Sequence, residues 1–284
     1  MRDARPSPYH GARMTLVTLH GKEDAIAPAL RDALTVTLEV TRDIDTDALG
    51  TFTREIPRVG TQREAAFRKA FIASERSPAG LGLGSEGAFV PGPLGLGCWN
   101  VELLAFVDRG ANRCIIGRAR APGLHLYGTV DSLDELETFA TRAEFPHYGL
   151  TLRPAESGDP RIRKGLRSWS ALQAAFAECR MEAGDGKVWV EHDLRAHMHP
   201  GRMIVVGLAA QDLARRLLTP CPRCQLPGYG PERSIAGLPC LWCGTQTSAV
   251  RGTAWSCASC THEEEVPVTA STKADPGDCP RCNP

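Results

Sequence analysis

The sequence predicts an α/β domain with a mixed, largely parallel sheet, followed by a small C-terminal zinc-ribbon-like module. Two observations predict it. Over residues 14–218, short apolar runs alternate with amphipathic stretches, the pattern of strands and helices wound on a sheet. Over 219–284 that pattern gives way to four C-x-x-C pairs: Cys221/Cys224, Cys240/Cys243, Cys257/Cys260 and Cys279/Cys282. Two residues between thiolates let both sulfurs meet one ion from a tight turn, and two such turns complete a tetrahedral four-cysteine site. Four turns predict two structural Zn2+ ions held by all eight cysteines. The spacing favours a nested pairing, in which Cys240/Cys243 joins Cys257/Cys260 and Cys221/Cys224 joins Cys279/Cys282; sequential pairing stays open. A closed four-thiolate site has no free coordination position, so any catalyst is sought upstream.

The 284 residues suggest about two domains, and 42% hydrophobic residues suffice for a real core. Lysine plus arginine balance aspartate plus glutamate at 33 each, which argues against a protein built to coat nucleic acid. No apolar run approaches the roughly 20 residues that span a bilayer, so no membrane partner is expected. Residues 1–13 (MRDARPSPYHGAR) are basic without an apolar core and read as a disordered lead-in, not a signal peptide. A cytoplasmic location follows, and in that reducing compartment the cysteines favour zinc over disulfides.

Residues 14–19 (MTLVTL) form the first predicted strand. His20-Gly21-Lys22-Glu23 then turns into a helix ending near Leu34, with Pro28 early in it. Such a turn presents backbone N–H groups and a lysine, which suits phosphate, although Lys22 as a solvated first-turn residue is the simpler reading. Residues 35–41 (TVTLEVT) read as a second strand, and Asp43, Asp45 and Asp47 follow in a polar segment. Thr61 and Glu64 open a helix with a capping box, and Ala66, Phe67, Ala70, Phe71 and Ala73 give it an apolar face. Residues 80–84 read as a short buried strand stopping at an acidic turn, Ser85-Glu86-Gly87. A carboxylate past the end of a parallel strand points into the crevice where α/β folds bind ligands.

Residues 90–97 (VPGPLGLG) read as a loop, and 101–107 and 113–116 as strands joined by a hairpin-like turn. Asp131 or Ser132 caps a helix ending near Arg142; 148–152 and 187–190 read as strands and 168–179 as a helix. The polar cluster 191–199 carries Arg195, His197 and His199 ahead of a helix from Pro200 to about Leu218, which Pro220 stops. An H-x-H pair without a third ligand is more often surface or capping than metal-binding. Cys98, Cys114 and Cys179 stand alone and read as small core residues, while Trp242 and Trp255 read as packing on the knuckles.

The order HGKE, DTD, GTFTREI, SEG-x-F, RAH-x-x-P-x-RM and four C-x-x-C pairs resembles, over nearly the whole chain, an uncharacterised family of bacterial proteins. Residues 14–89 are also similar to the nucleoside triphosphate pyrophosphatases of the inosine triphosphatase and Maf-like kind. Thr18, Gly21 and Lys22 match their T-x-N-x-G-K turn; Thr61, Glu64, Ala66, Lys69 and Ala70 match G-x-T-F-x-E-N-A-x-x-K-A; Glu86 falls on the second acid of A-D-D-S-G-L. His20 stands where asparagine is usual, Ala65 replaces the asparagine of E-N-A, and one acid stands where two are usual.

That resemblance implies a metal-dependent hydrolase that acts on a nucleoside triphosphate or related nucleotide and releases pyrophosphate. Lys22 and Lys69 would hold the polyphosphate, with Thr61 and Arg195 as further ligand-binding candidates. Glu64 and Glu86 would share Mg2+ or Mn2+, and Glu86 or Asp47 would orient the attacking water. The alternative is a non-catalytic adaptor that binds a nucleotide or signal while the zinc module docks on nucleic acid or protein. A homodimer is open on this sequence.

Overall fold

The computed structural model describes residues 7–44, 59–92, 95–268 and 272–284. The chain divides into two compact units: His10–Ala214, and Arg215–Pro284 joined by the described residues up to Tyr9. Residues 1–6 of the expected lead-in lie outside the described residues. Residues 8–11 form a turn, and Arg13 already belongs to the first strand, where the sequence suggested disorder through residue 13.

In the first unit, β1 (Arg13–Val17) leads through α1 (Glu23–Leu34) to β2 (Thr37–Thr41). Then α2 (Gln62–Arg76) leads to β3 (Leu81–Pro91), β4 (Cys98–Asp108) and β5 (Arg113–Gly123). These strands form one sheet in the order β2-β1-β3-β4-β5. Pairs β1–β2 and β1–β3 are parallel; β3–β4 and β4–β5 are antiparallel. The sheet is mixed as expected but not largely parallel. Parallel neighbours need a crossover of a dozen or more residues, and the link from β4 to β5 is only a tight turn with Asn112 at φ 48°.

Small residues set how α2 sits. A Cβ at Gly82 would lie 2.1 Å from Ala70 O, and one at Gly84 2.3 Å from Ala70 N. Bare strand glycines and the helix alanines Ala66 and Ala70 let backbone approach backbone. Phe71, expected on the buried face, is 50% exposed.

A second sheet follows. β6 (Tyr127–Val130), β7 (Leu150–Pro154), β8 (Arg163–Leu166) and β9 (Val188–His192) lie in the order β6-β9-β7-β8, antiparallel throughout. Helices α3 (Leu133–Arg142) and α4 (Trp169–Glu182) cover its apolar face, with Leu136, Leu152, Phe176 and Val190 in the core. Ser132 and Ser168 cap these helices. Last comes α5 (Pro200–Leu218), which packs against β5 where a Cβ at Gly117 would lie 2.4 Å from Ala209 O. No described helix is long and apolar enough to cross a membrane.

In the second unit, β10 (Tyr229–Ala236), β11 (Val250–Cys257) and β12 (Glu263–Pro267) form an antiparallel sheet. Tyr229 packs against Trp255 and His262, with ring centroids 5.5 and 5.7 Å apart.

Candidate functional site

Five charged side chains with 8% exposure or less gather where β3 runs on past the end of β1: Lys22, Lys69, Glu86, Glu102 and Arg202. The predicted acidic turn is not a turn. Ser85, Glu86 and Gly87 sit inside β3, paired with Leu104, Leu103 and Glu102 of β4. Successive strand residues point to opposite faces, so the neighbours separate.

On the α2 side, Glu86 Oε2 accepts from Lys69 Nζ at 2.6 Å, and Gln62 of the same helix donates to the Glu86 and Val101 carbonyls at 2.9 Å. On the α5 side, Lys22 Nζ donates to Ser85 Oγ at 3.2 Å and reaches the Ser85 carbonyl at 3.5 Å. Beside it, Arg202 Nε donates to Glu102 Oε1 at 2.7 Å. Glu86, expected to face one crevice with Lys22, therefore points to the α2 side of β3, while Lys22, from the cap of α1, meets Ser85 on the other side.

Among the described residues, three of these buried side chains are cations and two are carboxylates. Burial, then the Arg202 charge, pushes the Lys22 ammonium down from its ordinary value to about 8, against an opposing pull from Glu102. Lys22 is thus no solvated first-turn residue. It occupies the cap position of α1, directly after Gly21 at φ 66°.

The other candidates are dispersed. Thr61 Oγ1 accepts from Glu64 N at 3.2 Å, and Glu64 Oε2 accepts from Thr61 N at 2.7 Å, a complete capping box. Those bonds hold the Glu64 carboxyl below its usual range. Glu64 is exposed and bonded within its capping box, whereas Glu86 is buried against Lys69. Asp47, like Asp45 and Glu55, lies outside the described residues. Arg195, named as a ligand-binding candidate, is engaged by Asp193, with Nε 2.9 Å from Oδ1.

The histidines are structural in position. His199 Nε2 donates to Leu124 O at 2.8 Å while its Nδ1 accepts from Arg202 N at 3.1 Å, which makes the ring neutral. His192 accepts from Leu126 N and donates to Ala143 O, both at 2.9 Å. His197 stacks on His20 at 4.9 Å between centroids. No H-x-H metal pair forms at His197 and His199.

In the second unit the eight cysteines form two groups, Cys221/Cys224/Cys257/Cys260 and Cys240/Cys243/Cys279/Cys282. The nested pairing is corrected: first joins third and second joins fourth. Sulfurs stand 3.8 Å apart for Cys221–Cys260, 3.7 Å for Cys224–Cys257, 3.9 Å for Cys240–Cys282 and 3.6 Å for Cys243–Cys279. A tetrahedral ion about 2.3 Å from each thiolate spaces its sulfurs by about 3.8 Å, whereas a disulfide needs about 2.05 Å. The donor set and spacing therefore fit a metal ion. Both first knuckles repeat one fold: Cys221 N donates to Leu226 O and Cys240 N to Thr245 O, each at 2.8 Å. The knuckles reverse direction at Gln225 (φ 61°) and Gly244 (φ 73°). Trp242 is 76% exposed instead of packing on its knuckle, and Cys114, expected in the core, is exposed.

A family model described as Domain of unknown function (DUF6671) matches residues 69–284. The chain belongs to the DUF6671 family. This agrees with the whole-chain likeness to an uncharacterised family. No curated protein and no solved structure matches the chain. The DUF6671 match takes in Lys69, Glu86, Glu102, Arg202 and all eight clustered cysteines, and begins after Lys22.

Sequence reasoning did not single out Glu102 or Arg202 as site residues. The signal was present: a glutamate inside an apolar strand, NVELLAFV, must find a cation if buried. Nothing local named Arg202 as that cation, 100 residues away.

Proposed function

We propose that the His10–Ala214 unit binds the phosphates of a nucleoside triphosphate or related nucleotide where β1 ends. The observation that carries this reading is the buried Lys22 ammonium, whose hydrogen bonds among the described residues go to Ser85. An ammonium has three donors, so one remains for a ligand. Among the described residues, the cations around it outnumber the carboxylates, which favours an anion. Lys22→Ala should weaken binding of nucleotide, measured by titration calorimetry with Mg2+. Absence of binding by wild type at high micromolar nucleotide overturns the reading.

A second reading, metal-dependent hydrolysis releasing pyrophosphate, is favoured by Glu86, a buried carboxylate at the same strand edge. Mg2+ is typically held by one or two carboxylates plus substrate phosphates, so Glu86 with the nucleotide meets the usual donor set. Mg2+ or Mn2+ would offset phosphate charge, while Lys69 holds Glu86 in place. Pyrophosphate release from a nucleotide panel, lost in Glu86→Gln, supports this reading; binding without turnover leaves the adaptor.

For the second unit we propose two structural Zn2+ ions, one in each four-cysteine group, since four thiolates in a closed tetrahedral set suit zinc. The exposed Leu241 and Trp242, between the ligands of one knuckle, would offer a docking point for protein or nucleic acid.

A further inference from the structure

Among the described strands, β2, β5, β6, β8, β10 and β12 stand at the ends of their sheets. Sheet ends are ordinarily guarded by charge or proline, because a bare row of N–H and C=O groups invites another strand. Five of these strands carry such a guard: Glu39 in β2, Arg118 in β5, Lys164 in β8, Pro231 in β10 and Glu264 in β12. Strand β6, Tyr127-Gly128-Thr129-Val130, has neither charge nor proline. Leu126 donates to His192 Nδ1 and accepts from His192 N, so its backbone faces β9. Pairing alternates along an antiparallel ladder, so Gly128 and Val130 face β9 too, and Tyr127 and Thr129 turn their N–H and C=O groups to the open edge.

Beside that edge, between β6 and α3, runs a groove of about 430 Å3. Its floor is the half-buried Phe139, whose Cε2 would lie 3.9 Å from a Cβ on Gly128. The two ends of the groove carry opposite charge. Glu135 Oε2 accepts from Asp131 N, which holds Asp134 and Glu135 at the Val130 end. His192 bridges Leu126 N and Ala143 O, which holds Arg142 at the Leu126 end. Asp134 and Arg142 are exposed and form no ion pair among the described residues.

A twofold interface must be complementary to itself, and this edge meets that condition. Antiparallel pairing of β6 with β6 of a second copy, about an axis at Gly128, sets Tyr127 opposite Thr129 twice. Each such pair exchanges two hydrogen bonds. Gly128 meets its counterpart at the position without hydrogen bonds, where Cα atoms stand closest, at about 4.5 Å. Tyr127 against Thr129 is an aromatic and β-branched pair of the kind that stabilises sheets. The same reversal brings the acidic end of one α3 to Arg142 of the other copy.

We infer that β6 pairs with β6 of a second copy of this chain, joining two four-stranded sheets into one, with Asp134 and Glu135 of each copy against Arg142 of the other.

The test is sedimentation velocity of the full chain as purified, over a dilution series. Wild type should be a dimer at about 100 μM, and Arg142→Glu, which sets like charges together twice, should raise the Kd of the dimer about tenfold or more. Adding Asp134→Arg to Arg142→Glu should recover most of that loss. Thr129→Pro, which removes an outward N–H, should give a monomer. Circular dichroism reports the folding of each variant; if Thr129→Pro does not fold, the charge exchange decides. A wild type that is monomeric at the highest concentration overturns the inference and leaves the edge to a strand of another protein. A dimer that Arg142→Glu leaves unweakened, or that the charge exchange fails to recover, overturns it as well and places the contact elsewhere.

Discussion

Gly87 and Glu102 face each other across β3 and β4, and the bare glycine is what lets the Arg202 guanidinium lie over the carboxylate. A Cβ at Gly87 would stand 2.3 Å from Arg202 Nη2 and 2.5 Å from Glu102 Oε1. Gly87→Ala should therefore part a buried ion pair, at about 2–4 kcal/mol. Urea unfolding should show a lower midpoint with unchanged slope. A midpoint equal to wild type would mean the pair shifts freely.

Lys69 and Glu86 form a buried pair of another kind, on the α2 face. Lys69→Met should destabilise by about 3 kcal/mol, because it takes a cation away from a buried carboxylate. Adding Glu86→Gln should recover most of that loss. A double-mutant cycle with coupling under about 0.5 kcal/mol would contradict this picture of the pair.

Stability should also fall with acid. Burial pushes His199 down from 6.5 to about 4, so between those values the unfolded chain binds a proton that the folded chain refuses. The stabilisation from neutral His199 is complete above about pH 6.5 and is lost as pH falls toward 4. At about 1.4 kcal/mol per pH unit, the window is worth about 3 kcal/mol. His192, lowered by burial in the same direction, adds to it. Comparing wild type with His199→Gln from pH 7 to 4 isolates this part from acid release of metal. Parallel curves for the two proteins would refute it.

Metal stoichiometry distinguishes the cysteine pairings. Cys224→Ser with Cys257→Ser removes two ligands of one site, so one metal per chain should remain. Cys224→Ser with Cys243→Ser injures both sites, so neither should persist. Nested pairing predicts loss of both metals from the first double variant. Elemental analysis of the purified proteins reads the difference directly.

Much of the fold was legible because local rules decide it. The capping box at Thr61 and Glu64, the serine cap of α3 and the proline start of α5 follow from backbone groups satisfied within a few residues. The strand through Ser85-Glu86-Gly87 was not legible. A glutamate and a glycine argue for a turn until one knows that Lys69 neutralises the first and Arg202 fills the space over the second. Both partners come from other elements. The knuckle pairing failed for a similar reason: each C-x-x-C is a local signal, but its partner is chosen by the sheet of β10–β12, which sequence spacing does not encode. Lys22 was read correctly as a loop-to-helix lysine, and its burial depended on β3 reaching beyond β1.

The interleaving of the two cysteine groups has a mechanical consequence. Every ligand before residue 244 finds its completing pair after residue 256, so one cut between Cys243 and Cys257 divides both sets at once. Neither fragment would keep a whole site, yet each would hold half of both. A chain nicked there by protease should stay together as a clasped pair of fragments while the metals are bound, migrate as one species on a sizing column, and part only when a chelator removes the clasps.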